Sequence, residues 1–359
     1  MKITAHPNEP QLDIEDFHGP GGNLRYCSYR HDHGIYSGTD CSILLNLTSF
    51  HVKSESEGTA HGIIFIIVCL LGLGGNIFLF SLVSCGRKLQ THSNLYLLNR
   101  ALAEGTFLLD GILVGVTMLH NSWDIGEFTC KAFTATIIVF QYVPIIFLTF
   151  MAVDCYIVGS PSISALQYRC PIQLLVVMTV WIGAAIICFP ISWEAKLLDV
   201  ENLDLEHTKV CMNNSHNLSM TLLVFFFMFL TPLTITISFS IVAYLRFKRL
   251  PQDVSGRETR KTTRLVMVLA GVLCIGQLPS RILEIVAHMD HSSISLGFLW
   301  VVRIVATMPY VSISIQPVLC IVLQPDLRQA VKNCFHCTCI KPSKTSTPTT
   351  ISLEDLGHA

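Results

Sequence analysis

Charged residues occur inside long apolar segments of this sequence, where lipid or protein would surround them. Arg100 and Glu104 are four residues apart in one such segment, so a helix would place them on the same face. An isolated charge at that depth costs at least roughly 2.5–3.5 kcal/mol. We therefore expect an internal ion pair between Arg100 and Glu104. The alternative is a protonated Glu104, with Arg100 reaching the headgroups or Asp154.

Three more charges lie in later apolar segments. Arg281 and Glu284 are three residues apart, and Arg303 lies near the start of the last segment. The two arginines could hold a peptide terminus or an anionic group in a polar pocket. The alternative is mutual neutralisation of these charges, or their solvation at the rim. The remaining positions that we assign to this candidate pocket are Ile137, Gln141, Gln277 and Tyr310.

Motifs of enzymes are absent from the sequence, which has neither a G-x-S-x-G elbow nor an H-E-x-x-H pair. His288, Asp290 and His291 have a spacing that could ligate zinc, but two histidines and one aspartate are weak evidence. A solvated loop is the simpler interpretation. We expect no enzymatic activity, no cofactor, no metal site and no nucleic-acid partner.

Seven apolar segments must position the charged groups. They run near residues 62–84, 95–119, 130–153, 172–193, 220–246, 263–287 and 296–323. Each can cross a hydrocarbon core about 30 Å thick, and backbone facing lipid must be helical to satisfy its hydrogen bonds. A composition of 51% hydrophobic and 14% charged residues agrees with this. The predicted fold is an all-α membrane protein, a seven-helix bundle with a short amphipathic eighth helix.

Basic residues outside these segments concentrate in the loops after the first, third and fifth segments and in the tail. This asymmetry predicts an extracellular N-terminus and a cytoplasmic C-terminus. Residues 1–60 lack a sustained period and are interpreted as a mostly flexible extracellular arm, 61–324 as the membrane domain, and 325–359 as the eighth helix and a disordered cytoplasmic tail. Glycosylation sequons at Asn46, Asn213 and Asn217 fall on the predicted outer side.

The cysteines divide by location. Cys130 and Cys211 fall on the outer side, where a bridge would clamp the second outer loop over the bundle. Cys27 and Cys41 could pair within the N-terminal arm. A cluster shortly after the last segment is a candidate for acylation, the alternative being reduced cytosolic thiols, and comprises Cys334, Cys337 and Cys339.

Residues and short motifs along all seven segments resemble those of the rhodopsin-like (class A) G-protein-coupled receptors. In chain order the landmarks are Gly75-Asn76, the run from Asn99 to Glu104, Trp123 before Cys130, Asp154-Cys155-Tyr156, Trp181, Pro190, Pro232, Pro279 and Pro317. The resemblance covers roughly residues 60–340. It implies a plasma-membrane receptor with an extracellular ligand and a G protein or arrestin inside. Trp123 and the long outer segments resemble those of peptide and chemokine receptors, which favours a peptide or small-protein ligand.

The same resemblance implies which residues act in activation or G-protein coupling: Asn76, Arg100, Glu104, Asp154, Cys155, Tyr156, Gln316, Pro317 and Cys320. Ile137 stands where amine receptors carry an aspartate, and Tyr310 stands where opsins carry the retinal lysine, so neither ligand class is expected. An Arg100–Glu104 pair would displace the sodium ion that the family holds near this carboxylate.

Departures from the family pattern cluster at the activation motifs. Cys155 replaces the arginine of D-R-Y, Gln316 and Cys320 replace the asparagine and tyrosine of N-P-x-x-Y, and Ser240 replaces a tyrosine. Two functions remain open. One is a signalling receptor with degraded motifs. The other is an atypical, arrestin-biased or scavenging receptor, cellular or virus-encoded, that lacks the usual G-protein coupling.

Overall fold

The computed structural model describes residues 11–19, 22–31, 34–37, 55–86, 92–120, 122–158, 170–193, 195–201, 207–213, 218–249, 254–289 and 296–335. The helices within these ranges are α1 (Glu55–Cys85), α2 (His92–His120), α3 (Glu127–Val158), α4 (Cys170–Trp193), α5, α6 (Val254–Met289), α7 (Leu296–Leu323) and α8 (Pro325–Phe335). Helix α5 has three consecutive parts: Leu218–Leu223, a π-helical turn at Val224–Leu230, and Thr231–Arg249.

Helices α1 to α7 correspond in order to the seven predicted segments. Among the described residues, six stretches are long and apolar enough to span a membrane: Thr59–Cys85, Asn94–His120, Glu127–Ile157, Thr221–Arg246, Thr259–Val286 and Val301–Leu323. Helix α4 contributes a shorter apolar stretch, Ile172–Ile187. Large apolar side chains such as Leu71, Phe189 and Ile275 are exposed on the outside of the bundle, which suits a lipid environment.

Consecutive helices pack on each other except for α4 and α5, and α7 returns to α1 and closes the ring. Helix α3 is central, since it contacts α2, α4, α5 and α6. Its residues Ile145, Phe147, Leu148 and Met151 are fully buried in the main core cluster. Helix α4 is held to α2 by a 3.0 Å hydrogen bond from Trp181 Nε1 to Asn99 Oδ1.

Helix α7 approaches its neighbours closely because small residues face it. A Cβ at Gly111 in α2 would lie 2.7 Å from Tyr310 Cε1 and 2.8 Å from Cys69 Sγ. Real side-chain atoms do not come this close, so only glycine fits at position 111 in this packing. The ring of Tyr310 therefore lies directly against the backbone of α2.

Two β-sheets accompany the helices, and the sequence predicts neither. Strands β1 (Gln11–Gly19), β2 (Gly22–His31) and β3 (Gly34–Ser37) form an antiparallel meander within residues 1–60, and the flexibility of this arm stays a prediction. Strands β4 (Ala195–Glu201) and β5 (His207–Asn213) form a hairpin between α4 and α5. Helix α1 begins at Glu55, before the predicted boundary at residue 61.

The predicted eighth helix is present as α8. Pro325 lies at its first position, Asp326 in its first turn and Lys332 in its last, an arrangement that suits the helix dipole. Leu327 is buried against the bundle, while Arg328 and Gln329 are on the polar side. The helix contacts α7 and α1, and thus lies across one end of the bundle.

Candidate functional site

The β4–β5 hairpin is tied to the beginning of α3. A disulfide joins Cys130 to Cys211, which confirms the predicted pairing. The Trp123 backbone N–H donates to the Lys209 carbonyl at 2.8 Å, and the Lys209 N–H donates to Ser122 Oγ at 3.2 Å. The hairpin is therefore fixed both covalently and by hydrogen bonds, and it cannot move independently of α3.

Tyr142 of α3 and Arg281 and Glu284 of α6 form the centre of a polar cluster in the part of the bundle nearer the hairpin, which we call the outer polar cluster. Arg281 Nη1 donates a 2.7 Å hydrogen bond to the Tyr142 hydroxyl and lies 2.7 Å from Glu284 Oε2. The guanidinium carbon is also 5.3 Å from the centroid of the Tyr142 ring. Arg281 is buried, so its charge depends on these partners. Of the two sequence-based interpretations, mutual neutralisation describes Arg281 and Glu284.

Gln277 lies one turn before Arg281 on α6 and is 0% exposed. Neither its amide nitrogen nor its amide oxygen has a hydrogen-bond partner in the described part of the chain. Arg281 Nε likewise has no hydrogen-bond partner among the described residues. Gln141 and Arg303 are buried as well, so Arg303 is not a solvated rim residue. A ligand with amide or charged groups would find donors and acceptors here.

Asp110 in α2 adds a carboxylate that the sequence analysis missed. Its Oδ1 accepts a 3.0 Å hydrogen bond from Thr136 Oγ1, next to the predicted pocket residue Ile137. The Tyr310 ring stacks on Phe107 with centroids 4.6 Å apart and meets Phe65 edge-on at 4.8 Å. Asp110 therefore links α2 to α3, while Phe107 links α2 to the predicted pocket residue Tyr310 on α7.

A second buried cluster lies between α1, α2 and α7. Arg100 Nε is 2.7 Å from Glu104 Oε1, with the two side chains 1% and 3% exposed. The ion pair predicted from the sequence is present, and Arg100 does not extend to the headgroups. Arg100 Nη1 and Nη2 have no hydrogen-bond partner among the described residues. The pair lies within electrostatic range of Cys320 on α7.

The neighbours of this pair are also buried polar groups. Asn76 Nδ2 donates to the Gly72 carbonyl at 3.0 Å, while its Oδ1 has no described partner. Gln316 is buried, and neither of its amide atoms has a partner in the described ranges. A Cβ at Gly75 would lie 3.4 Å from Pro317, so α1 and α7 are in contact here. The structure thus brings together Asn76, Arg100, Glu104, Gln316, Pro317 and Cys320.

The third cluster joins α3, α5 and α6 at the end of the bundle near α8. Cys155 is buried against Ala243 and lies near Thr263, whose hydroxyl donates to the Thr259 carbonyl at 2.8 Å. Tyr156 stacks below the Arg246 guanidinium, whose carbon is 4.5 Å from the ring centroid, and accepts a 3.3 Å hydrogen bond from Arg246 Nη2. Asp154 and Ser240 are buried nearby. The small side chains of Cys155 and Ala243 let α3 and α5 pack closely at this end.

A family model described as "7 transmembrane receptor (rhodopsin family)" matches residues 75–341. The chain belongs to this rhodopsin family. This receptor is 25% identical over 305 residues to galanin receptor 2a of Danio rerio, an alignment that covers 82% of each chain. Family membership makes it a multi-pass membrane receptor and not an enzyme.

Two rat proteins (Rattus norvegicus) are similar to a shorter part of the receptor. Somatostatin receptor type 4 is 30% identical over 146 residues, which are 39% of this chain and 38% of that protein. Somatostatin receptor type 1 is 32% identical over 141 residues, or 38% and 36% of the two chains. The receptor therefore aligns with less than two fifths of the length of either somatostatin receptor.

The modification sites of the receptor stay predictions. Cys334 is exposed on α8, and Asn213 ends strand β5. The other modification sites lie outside the described residues: Asn46, Asn217, Cys337 and Cys339. The possible pairing of Cys27 with Cys41 also stays a prediction, because Cys41 lies outside the described residues.

Two partners in the outer cluster escaped the sequence analysis of this receptor. Tyr142 follows the predicted Gln141 directly, but only the packing of α3 on α6 brings it to Arg281. Asp110 carried a usable signal, because an acidic residue within an apolar segment needs a partner or a function.

Proposed function

We propose that this receptor binds an extracellular peptide or small protein among the outer ends of α2, α3, α6 and α7. The observation that carries the proposal is the outer polar cluster, in which Gln277, Arg281 and Asp110 keep buried polar atoms without described partners. Its location below a disulfide-tied hairpin suits a ligand that enters from one end of the bundle. The relatives named for galanin and somatostatin favour a peptide over an amine.

We place the N-terminus outside the cell and α8 at the cytoplasmic face of the plasma membrane. The concentration of basic residues in the loops on the α8 side supports this orientation. The disulfide supports it too, since Cys130–Cys211 needs an oxidising compartment at the opposite end. Epitope tags at Met1 and Ala359 test it. The Met1 tag alone is expected to be accessible on intact cells, and access to both tags would refute the orientation.

When the ligand binds, the receptor activates a G protein, which contacts the inner ends of α5 and α6. The prolines Pro232 and Pro279 lie within these helices and weaken them locally, so each helix can bend there. The basic residues around the inner ends of α5 and α6 include Arg246, Arg260, Lys261 and Arg264. They supply positive charge for an intracellular partner.

A second function, an atypical receptor that recruits arrestin or removes its ligand, is favoured by the inner cluster. Where relatives of the family place an arginine, Cys155 is buried against Ala243 and Thr263. This contact offers no charge to a G protein. Ser240 and Cys320 likewise replace the two tyrosines that the family resemblance implies.

One cell assay separates the two functions. Basal and peptide-stimulated G-protein activation and arrestin recruitment are measured for the parent and for Cys155→Arg, with Cys155→Ser as the control for loss of the thiol alone. Somatostatin and galanin serve as the first peptides, followed by a peptide collection. G-protein activation by the parent supports the signalling receptor. A silent parent that gains coupling only with arginine supports the atypical receptor, and the absence of both signalling and binding with every labelled peptide refutes the ligand class.

A further inference from the structure

Asp110 is a carboxylate of the outer polar cluster that forms no ion pair with a described basic side chain. Its Oδ1 accepts the hydrogen bond of Thr136, and its Oδ2 has no partner in the described part of the chain. With 5% of its surface exposed, the residue has lost most of its contact with solvent. A buried carboxylate oxygen without a donor is costly, so a group that brings N–H donors and positive charge is favoured beside it.

The surroundings of Asp110 on the α7 side are aromatic. Phe107 lies one turn earlier on α2, and its ring stacks on Tyr310 with centroids 4.6 Å apart. Gly111, the next residue after Asp110, allows the Tyr310 ring to lie against α2. Aromatic rings attract ammonium and guanidinium groups. Asp110 therefore lies next to two aromatic rings, Phe107 and Tyr310, which are buried and stacked on each other.

Arg281 does not neutralise the charge of Asp110. Arg281 Nη1 is 2.7 Å from Glu284 Oε2 and donates to Tyr142, so its charge already has a partner on α6. We propose that Asp110 binds a cationic group of the ligand, a protonated amine or a guanidinium, between α2, α3 and α7. This inference rests on the proposed function, because it assigns a chemical class to the ligand of that site. It differs from the expectation of a peptide terminus or an anionic group held by Arg281 and Arg303.

Small probes of matched shape test the charge requirement directly. The full chain in lipid nanodiscs is titrated with benzylguanidine or with benzylurea, its neutral counterpart, and thermal unfolding is followed with a thiol-reactive dye. Benzylguanidine is expected to raise the melting temperature and benzylurea is not. Equal stabilisation by the two compounds, or by neither, overturns the proposal. Sodium chloride is run alongside, and stabilisation of the parent by sodium alone that is lost in Asp110→Asn would assign Asp110 to an inorganic cation instead.

Variants locate the effect at Asp110. Asp110→Asn keeps an acceptor for Thr136 and should weaken benzylguanidine binding about ten- to hundredfold, as loss of a charged hydrogen bond does. Glu127→Gln makes the same chemical change at an exposed position of α3 and should bind as the parent does. Thr136→Val leaves the carboxylate in place and should keep the preference for benzylguanidine over benzylurea. A preference lost in Thr136→Val, or kept in Asp110→Asn, contradicts the assignment.

The peptide screen keeps this proposal separate from the proposed function. If active peptides are found and their potency changes neither with removal of their basic groups nor in Asp110→Asn, the cation site is wrong while the receptor function stands. If no peptide acts but benzylguanidine still binds through Asp110, the cation site stands and the peptide ligand is wrong.

Discussion

Arg100 gives Glu104 a permanent partner inside the bundle. The two side chains are almost fully buried, and the 2.7 Å contact joins residues on consecutive turns of one helix. Burying such a pair is expensive, and replacing both members by apolar residues is often neutral or stabilising. Removing one member is different, because it leaves an uncompensated buried charge.

Double-mutant analysis of this pair gives the first prediction. Arg100→Leu or Glu104→Leu alone should lower the stability of the receptor by roughly 3–5 kcal/mol, whereas the double variant should recover most of that loss. The measurement is unfolding of the chain in nanodiscs. The exposed pair of Glu127 and Lys131 is the control, and its single variants should change stability little. Additive losses at Arg100 and Glu104 would show that the two charges do not interact.

Sodium dependence gives a second prediction for the same residues. Because the Arg100 guanidinium already lies beside Glu104, the parent should have the same thermal stability in sodium chloride and in potassium chloride. Arg100→Ala removes the internal cation, and sodium should then raise the melting temperature of that variant above its value in potassium chloride. Sodium stabilisation of the parent that is lost in Glu104→Leu would mean that the ion pair does not replace a bound cation.

Sequence distance decides which of these contacts could be predicted. The Arg100–Glu104 and Arg281–Glu284 pairs lie within one helical turn, so spacing alone places the partners together. The bond from Thr136 to Asp110 joins residues 26 positions apart, and that from Arg281 to Tyr142 spans 139. Such contacts depend on the rotation and depth of two helices relative to each other, which a periodic pattern does not specify.

At the scale of elements, α7 is positioned by close contact with α1, α2 and α6. Tyr310 fits against α2 because residue 111 has no side chain. This contact also holds the Tyr310 ring beside Phe107 and near Asp110. The packing of one helix pair thus sets the shape of the outer polar cluster.

Gly111→Ala tests this packing. Its new Cβ would lie 2.7 Å from Tyr310 Cε1, so the ring or the whole of α7 must shift, and overpacking of this kind costs roughly 1–3 kcal/mol. Gly74→Ala on α1 is the matched control, since nothing lies within 4 Å of its Cβ and alanine favours a helix by about 1 kcal/mol. Melting temperatures of the two variants should therefore move in opposite directions. Equal shifts would contradict a close contact at Gly111.

For the whole molecule, apolar length was enough to predict the seven helices and their order, because each segment alone satisfies the requirements of a lipid environment. The β4–β5 hairpin was not predictable in this way. The position of the hairpin, with Leu197 paired to Cys211, depends on the Cys130–Cys211 disulfide and on the hydrogen bond between Trp123 and Lys209. Each of these two contacts joins residues that lie far apart in the sequence. The meander at Gln11–Ser37 likewise lacks a strong alternating pattern.

At the scale of the whole molecule, the proposed signalling function requires the end of the bundle where α3 meets α5 to open. Ala243 on α5 is fully buried against Cys155 on α3, so Ala243→Leu should force the two helices apart. The variant is expected to melt at a lower temperature and to show higher basal arrestin recruitment or G-protein activation than the parent. Ala185→Leu, at an exposed position of α4, adds the same side chain without this contact and should change neither quantity. If Ala243→Leu lost stability with no rise in basal signalling, the Cys155–Ala243 contact would serve packing alone, and the inner opening would be controlled from elsewhere in the bundle.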